Sequence, residues 1–144
     1  MTTSKADAVW QGGLRNGTGE YTAGSGAFSG HYSFPTRFES APGTNPEELI
    51  AAAHAACLSM ALAGAIEAAG KTPTRISTNA ACTVEKVDGG VKITKMKLTV
   101  RGVVPGMEPS AFRTAAESAA AGCPVSRALE GNVAMEMDAR LDTA

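Results

Sequence analysis

Between Leu49 and Ile66 the chain runs for 18 residues without a charge, eight of them alanine, with His54 and Ser59 among them. Directly before this run stands Thr44-Asn45-Pro46-Glu47-Glu48. Asn45 is a good helix N-cap, Pro46 suits the first helical position, and Glu48 falls three residues after the cap. Two glutamates in the first turn also suit the helix dipole. Gly70 and then Pro73 close the segment, so the sequence predicts one helix from Pro46 to about Ala69. Being apolar nearly all round, it is expected to be a buried central helix. The run reaches the lower length for a membrane span. Its flanks are those of a capped soluble helix, so no membrane partner is expected.

The remaining chain reads as strands and shorter helices. Ala8–Gln11, Gly19–Ala23 and His31–Phe38 are expected short strands, with a turn over Gly24–Gly30. Thr78–Val87 and Val91–Val103 flank Asp88-Gly89-Gly90, a strong hairpin signal. Met96, Leu98 and Val100 alternate with polar residues, as on a half-buried strand. A second helix is expected over Pro109–Ala121, with Met107, Ala111, Phe112, Ala115 and Ala119 on one side. Gly122 stops it, and Cys123-Pro124-Val125-Ser126 starts a shorter helix. The last segment alternates again, with Val133, Met135, Met137, Ala139 and Leu141 on one face. The expected fold class is α+β, an antiparallel sheet around a long buried helix, in a single domain over residues 1–144.

Net charge is −1, and Lys and Arg are scattered, so nothing favours a nucleic-acid partner. The N-terminal segment lacks an apolar stretch behind a basic start, so no signal peptide and a cytoplasmic location are expected. Cysteines stand at 57, 82 and 123. Without an export signal they do not form a structural disulfide framework, and their spacing gives neither a CxxC motif nor a zinc site.

Each cysteine has a plain reading. Cys57, within the apolar helix, can be a packed small hydrophobe, as can Cys82 in its strand. Cys123, in Gly-Cys-Pro at a helix start, can be a weak cap. The same position brings its sulfur near unpaired backbone N–H groups, which favours a thiolate. Gly122 is expected to give that sulfur room.

Thr36-Arg37-Phe38-Glu39, the stretch Gly43 to Cys57 (GTNPEELIAAAHAAC) and Gly122-Cys123-Pro124-Val125-Ser126 together resemble the osmotically inducible protein C (OsmC) family. The likeness is closer to its OsmC branch than to the organic hydroperoxide resistance branch. It extends from Trp10 to about Leu141, is loose over Gly24–Ser33 and leaves Cys82 outside. The resemblance implies a cysteine-based peroxidase acting on organic hydroperoxides, with Cys57 peroxidatic and Cys123 resolving through an intramolecular disulfide. It nominates Arg37 and Glu47 as the residues tuning the thiolate. It implies no metal, haem or flavin cofactor, a dithiol or lipoyl-protein reductant, and an intertwined homodimer. A guanidinium is charged at every relevant pH and donates in a plane, which suits it to hold a thiolate and a peroxide.

Helix geometry adds a constraint. Glu47 and Cys57 lie ten residues apart, ~15 Å along one helix axis. An Arg37–Glu47 pair acting on Cys57 is easier to build across two chains. Cys57 is expected to be the more buried sulfur, with that cation beside it. His54 is a helix neighbour of Cys57; packing or hydrogen bonding is favoured over a general-base role. A lipid-binding module and a redox sensor are the rival readings, separable by peroxide consumption.

Overall fold

The computed structural model describes residues 1–142. In chain order the elements are β1 (Ala6–Gln11), β2 (Thr18–Ala23), β3 (Ser29–Tyr32), α1 (Phe34–Phe38), α2 (Pro46–Ala68), β4 (Arg75–Val87), β5 (Gly90–Val103), α3 (Pro109–Gly122), α4 (Pro124–Leu129) and β6 (Ala134–Leu141). They form two compact units, Met1–Leu49 and the chain from Ile50 onward.

In the first unit β1, β2 and β3 make an antiparallel meander. Its glycines let aromatic rings lie on the sheet: a Cβ at Gly19 would stand 2.5 Å from the Tyr32 ring. Tyr32 in turn packs against Trp10 and Tyr21, at 5.6 and 6.0 Å between centroids. The third strand is shorter than the sequence suggested. It ends at Tyr32 because Ser33 caps a helix: its Oγ accepts from the Thr36 amide, Thr36 Oγ1 accepts from the Ser33 amide, and Pro35 fits the first turn. That local capping box outweighs the strand propensity of Phe34 and Phe38.

Asn45 starts α2 as expected, its Oδ1 accepting from the Glu48 amide at 2.8 Å. Its Nδ2 donates to the Thr36 carbonyl at 3.2 Å, and Tyr21 donates to Thr44 Oγ1 at 3.1 Å. The first turn of α2 is thereby tied to α1 and β2.

The second unit holds the core. His54, Leu58, Leu62 and Ile66 recur every four residues along α2 and are all wholly buried. The three aliphatic side chains cluster with Met96, Leu98 and Val100 of β5 and with Phe112, Ala115, Ala116 and Ala119 of α3. Each fully buried large aliphatic side chain contributes ~1.5–3 kcal/mol. Gly102 lies flat beneath Phe112, where a Cβ would come within 2.4 Å of the ring. Ala111, expected on the inner face of α3, is exposed; the helix turns Ala116 inward instead.

β4 and β5 pair antiparallel around the Asp88-Gly89 turn, Gly89 taking φ 91°. That positive φ is what a tight hairpin turn requires. β6, however, pairs with β5 in parallel. The expected antiparallel sheet is therefore mixed, and the first three strands form a sheet of their own. A parallel neighbour needs a long crossover, and α3 with α4 supplies it.

The long helix also differs from expectation within one chain. Only the stripe through His54 and Ile66 is fully covered; Ala52, Ala53, Ala56, Met60 and Gly64 are exposed, Met60 at 81%.

Candidate active site

Helix α2 carries Cys57 one turn beyond His54, both directed toward the start of α4. There Cys123 ends α3 and caps α4, its amide donating to the Ala119 carbonyl at 2.8 Å. The two sulfurs, 66 positions apart in sequence, stand 2.9 Å apart as free thiols. The bulky aliphatic core fixes α2 against α3, so this proximity needs no rearrangement of the chain.

The relative burial reverses the expectation. Cys123 is wholly buried and Cys57 half-buried. Cys57 faces the sulfur of its partner, and burial pushes its thiol up. The hydrogen bond with Cys123 pushes further in the same direction, while the Val125 amide pulls against both. Burial also pushes Cys123 up, but more groups oppose it. Hydrogen bonds from Cys57, from the Ser126 amide and hydroxyl, and from the Val125 amide hold its thiol below the ordinary value. Within this unit Cys123 is therefore the more acidic of the two thiols. The physical cause is chain direction: the first amides of α4 follow Cys123 immediately and point back at its sulfur.

Ser126 was not singled out by the sequence beyond its place in the motif. Its signal is positional, three residues after a capping cysteine, where N-cap and N3 side chains meet. Its Oγ lies 2.7 Å from His54 Nε2, and both residues are buried. Burial lowers the His54 pKa, so the ring is neutral. Gly122, expected to make room for the sulfur, has open space where a Cβ would stand.

Arg37 and Glu47 meet within the first unit. Arg37 Nε donates to Oε1 and Oε2 of Glu47 at 3.1 and 3.2 Å, and Nη2 donates to Oε1 at 2.7 Å. The Glu47 side chain is 6% exposed and that of Arg37 37%. Among the described residues Nη1 has no hydrogen-bond partner, so one edge of a fixed guanidinium is left to bind something else. Beside it lies a hollow of about 240 Å³, lined by Trp10, Leu14, Tyr32, Phe34 and Phe38 as well as Arg37. Among the described residues no group of three His, Cys, Asp or Glu side chains could hold a metal ion.

Two cysteines whose sulfurs meet where α2 faces the start of α4, one helical turn from a buried histidine–serine contact, are the arrangement of a thiol-redox protein. The family model described as OsmC-like protein matches residues 39–138. Peroxiredoxin OsmC of Escherichia coli (strain K12) is 46% identical over 92% of this chain and 93% of its own length. The organic hydroperoxide resistance protein of Xanthomonas axonopodis pv. citri (strain 306) is 36% identical over 63% of each chain. Among solved structures, the organic hydroperoxide resistance protein OhrB of Bacillus subtilis superposes with a TM-score of 0.74 at 26% identity, covering 96% of this chain and 98% of that one. An OsmC protein from Legionella pneumophila, at 22% identity, shares the fold with a TM-score of 0.77 over 97% and 98% of the two chains. The chain belongs to the OsmC-like family.

Proposed function

We propose that this cysteine-based peroxidase reduces organic hydroperoxides, with Cys57 as the attacking thiol and Cys123 as the resolving one. Relatives named peroxiredoxin OsmC and organic hydroperoxide resistance protein support the peroxide-detoxifying role. The observation that carries the two-cysteine reading is the 2.9 Å separation of the sulfurs. Cys57 Sγ attacks the distal oxygen of ROOH; the S–O bond forms, the O–O bond breaks, and RO⁻ takes a proton to leave as the alcohol. Cys123 then displaces the oxygen from the sulfenic acid and closes a disulfide. A dithiol or lipoyl-bearing protein restores both thiols, in the reducing cytoplasm.

Cys57 is held as the neutral thiol by its own unit, so attack needs a cation brought to it. Arg37, fixed by Glu47 and with Nη1 unpaired among the described residues, has the right chemistry. In this reading a twofold homodimer brings the pair from one copy to the thiol of the other. The exposed apolar stripe of α2 (Ala52, Ala56, Met60, Gly64) and the exposed Val9, Leu14 and Phe28 support a second copy, because apolar surface of this extent is rarely left in water. The aromatic hollow next to Arg37 suits the alkyl part of the substrate.

The test is hydroperoxide consumption with a dithiol reductant. Cys57→Ser loses turnover entirely. Cys123→Ser consumes one equivalent and then stalls or over-oxidises. Steady turnover by Cys57→Ser rejects the assignment, and binding of a lipid without peroxide consumption favours a binding module.

A further inference from the structure

Two polar contacts cross between α2 and the start of α4 inside an otherwise apolar core. One joins Cys57 to Cys123, the other His54 to Ser126. His54 precedes Cys57 by three residues and Ser126 follows Cys123 by three, so the contacts lie one helical turn apart on each segment. His54 is wholly buried and Ser126 is 5% exposed, and their contact spans 72 positions of sequence.

Burying an imidazole and a hydroxyl costs free energy that Leu or Ala in the same places would not. The cost is not even fully met, because His54 Nδ1 is buried and has no hydrogen-bond partner among the described residues. Simple packing does not account for such a pair.

The direction of the hydrogen bonds follows from proton count. Ser126 has one hydroxyl proton and stands in the first turn of α4, three residues after its N-cap Cys123, where its hydroxyl and its amide both act to lower that thiol. A hydroxyl that donates to sulfur must accept from His54, so Nε2 carries the ring proton and Nδ1 is the bare lone pair.

We propose that His54 and Ser126 are positioning residues for the resolving step: His54 Nε2–H donates to Ser126 Oγ, whose proton donates to Cys123 Sγ and holds it as the thiolate that closes the disulfide. The proposal rests on the two-cysteine reading. In the step, a lone pair of Cys123 Sγ forms the S–S bond with Cys57 Sγ and the S–O bond of the sulfenic acid breaks. The departing hydroxide takes up a proton equivalent to the one Cys123 released, and water leaves. The relay loses no proton of its own; its two hydrogen bonds weaken as charge leaves Cys123.

The test treats the full-length protein with one equivalent of cumene hydroperoxide and follows two rates: loss of peroxide, and appearance of the Cys57–Cys123 disulfide by acid quench and mass spectrometry. Ser126→Ala slows closure by about tenfold and moves its pH midpoint upward by about one unit, the effect of losing one hydrogen bond to a charged sulfur. Loss of peroxide keeps its wild-type rate, and sulfenic acid accumulates where a dimedone trap detects it. Ser126→Thr and His54→Gln keep the donors and restore closure; His54→Asn, whose amide is too short, does not. Should Ser126→Ala fail to fold, the contrast of His54→Gln with His54→Asn reads the same quantity. An unchanged midpoint in the donor-deleted variants overturns the relay, as does an equal slowing of both rates, which would put its action at Cys57. If the wild type forms no Cys57–Cys123 disulfide, the two-cysteine reading itself fails and takes the relay with it.

Discussion

Glu47 grips Arg37 along its Nε–Nη2 edge with a carboxylate that is itself buried, and leaves the Nη1 edge without a hydrogen-bond partner among the described residues. The carboxylate fixes both the charge and the plane of the guanidinium. The arrangement is local, built by α1 and the first turn of α2, and forms before any question of what the free edge binds.

Arg37→Lys keeps the charge but loses the planar two-point grip. Steady-state peroxidase assays are expected to show kcat/KM lower by about 10²-fold, the scale of losing one oriented donor. Glu47→Gln is expected to lower it less, by about tenfold, and to cost ~1 kcal/mol in urea unfolding, a figure reduced by the partial exposure of Arg37. Wild-type kcat/KM in Arg37→Lys removes Arg37 from the mechanism.

Two glycines give opposite outcomes on substitution. Gly102→Ala drives a methyl into the buried Phe112 ring, which cannot move aside, and is expected to destabilise by ~1–3 kcal/mol. Gly122→Ala meets open space at the end of α3 and is expected to be neutral or to stabilise by up to ~1 kcal/mol through helix propensity. Chemical denaturation of the two variants measures both.

Burial lowers the His54 pKa from its ordinary value of 6.5. Below that value the unfolded chain binds a proton that the folded chain refuses, so stability is full above about pH 6.5 and falls as pH drops toward the depressed folded value. Melting temperature against pH is expected to decline on this side of neutrality, and the decline is expected to flatten in His54→Gln. An identical slope in that variant excludes His54 as its source.

Met60 sits 81% exposed in the apolar stripe of α2. A charge there costs a lone chain little and a dimer a great deal. Met60→Glu is expected to sediment as a folded monomer with most peroxidase activity lost. Full activity in a monomer rules out a site shared between copies.

Much of this molecule is written in short-range signals. Asn45, Pro46 and Glu48 predict the start of α2, and Asp88-Gly89 predicts the hairpin, because caps and tight turns are decided within four residues. The same short-range physics misled over His31–Phe38: the segment reads as a strand, yet Ser33 and Thr36 close a capping box that ends it at Tyr32. The period-2 pattern of Val133 to Leu141 is correct for a strand with one buried face, but periodicity is blind to direction. Only the α3–α4 crossover makes β6 parallel to β5.

The sequence by itself determined α2, the β4–β5 hairpin, the buried stripe of β5, and two cysteines in a motif that resembles a peroxidase family. Tertiary structure decided which sulfur is wholly buried, and which one collects the hydrogen bonds. Those depend on the direction in which α4 leaves Cys123 and on the packing that seats His54 against Ser126 across 72 residues. Electrostatics at a thiol act over a few ångströms in three dimensions, and distance along the chain carries no record of them.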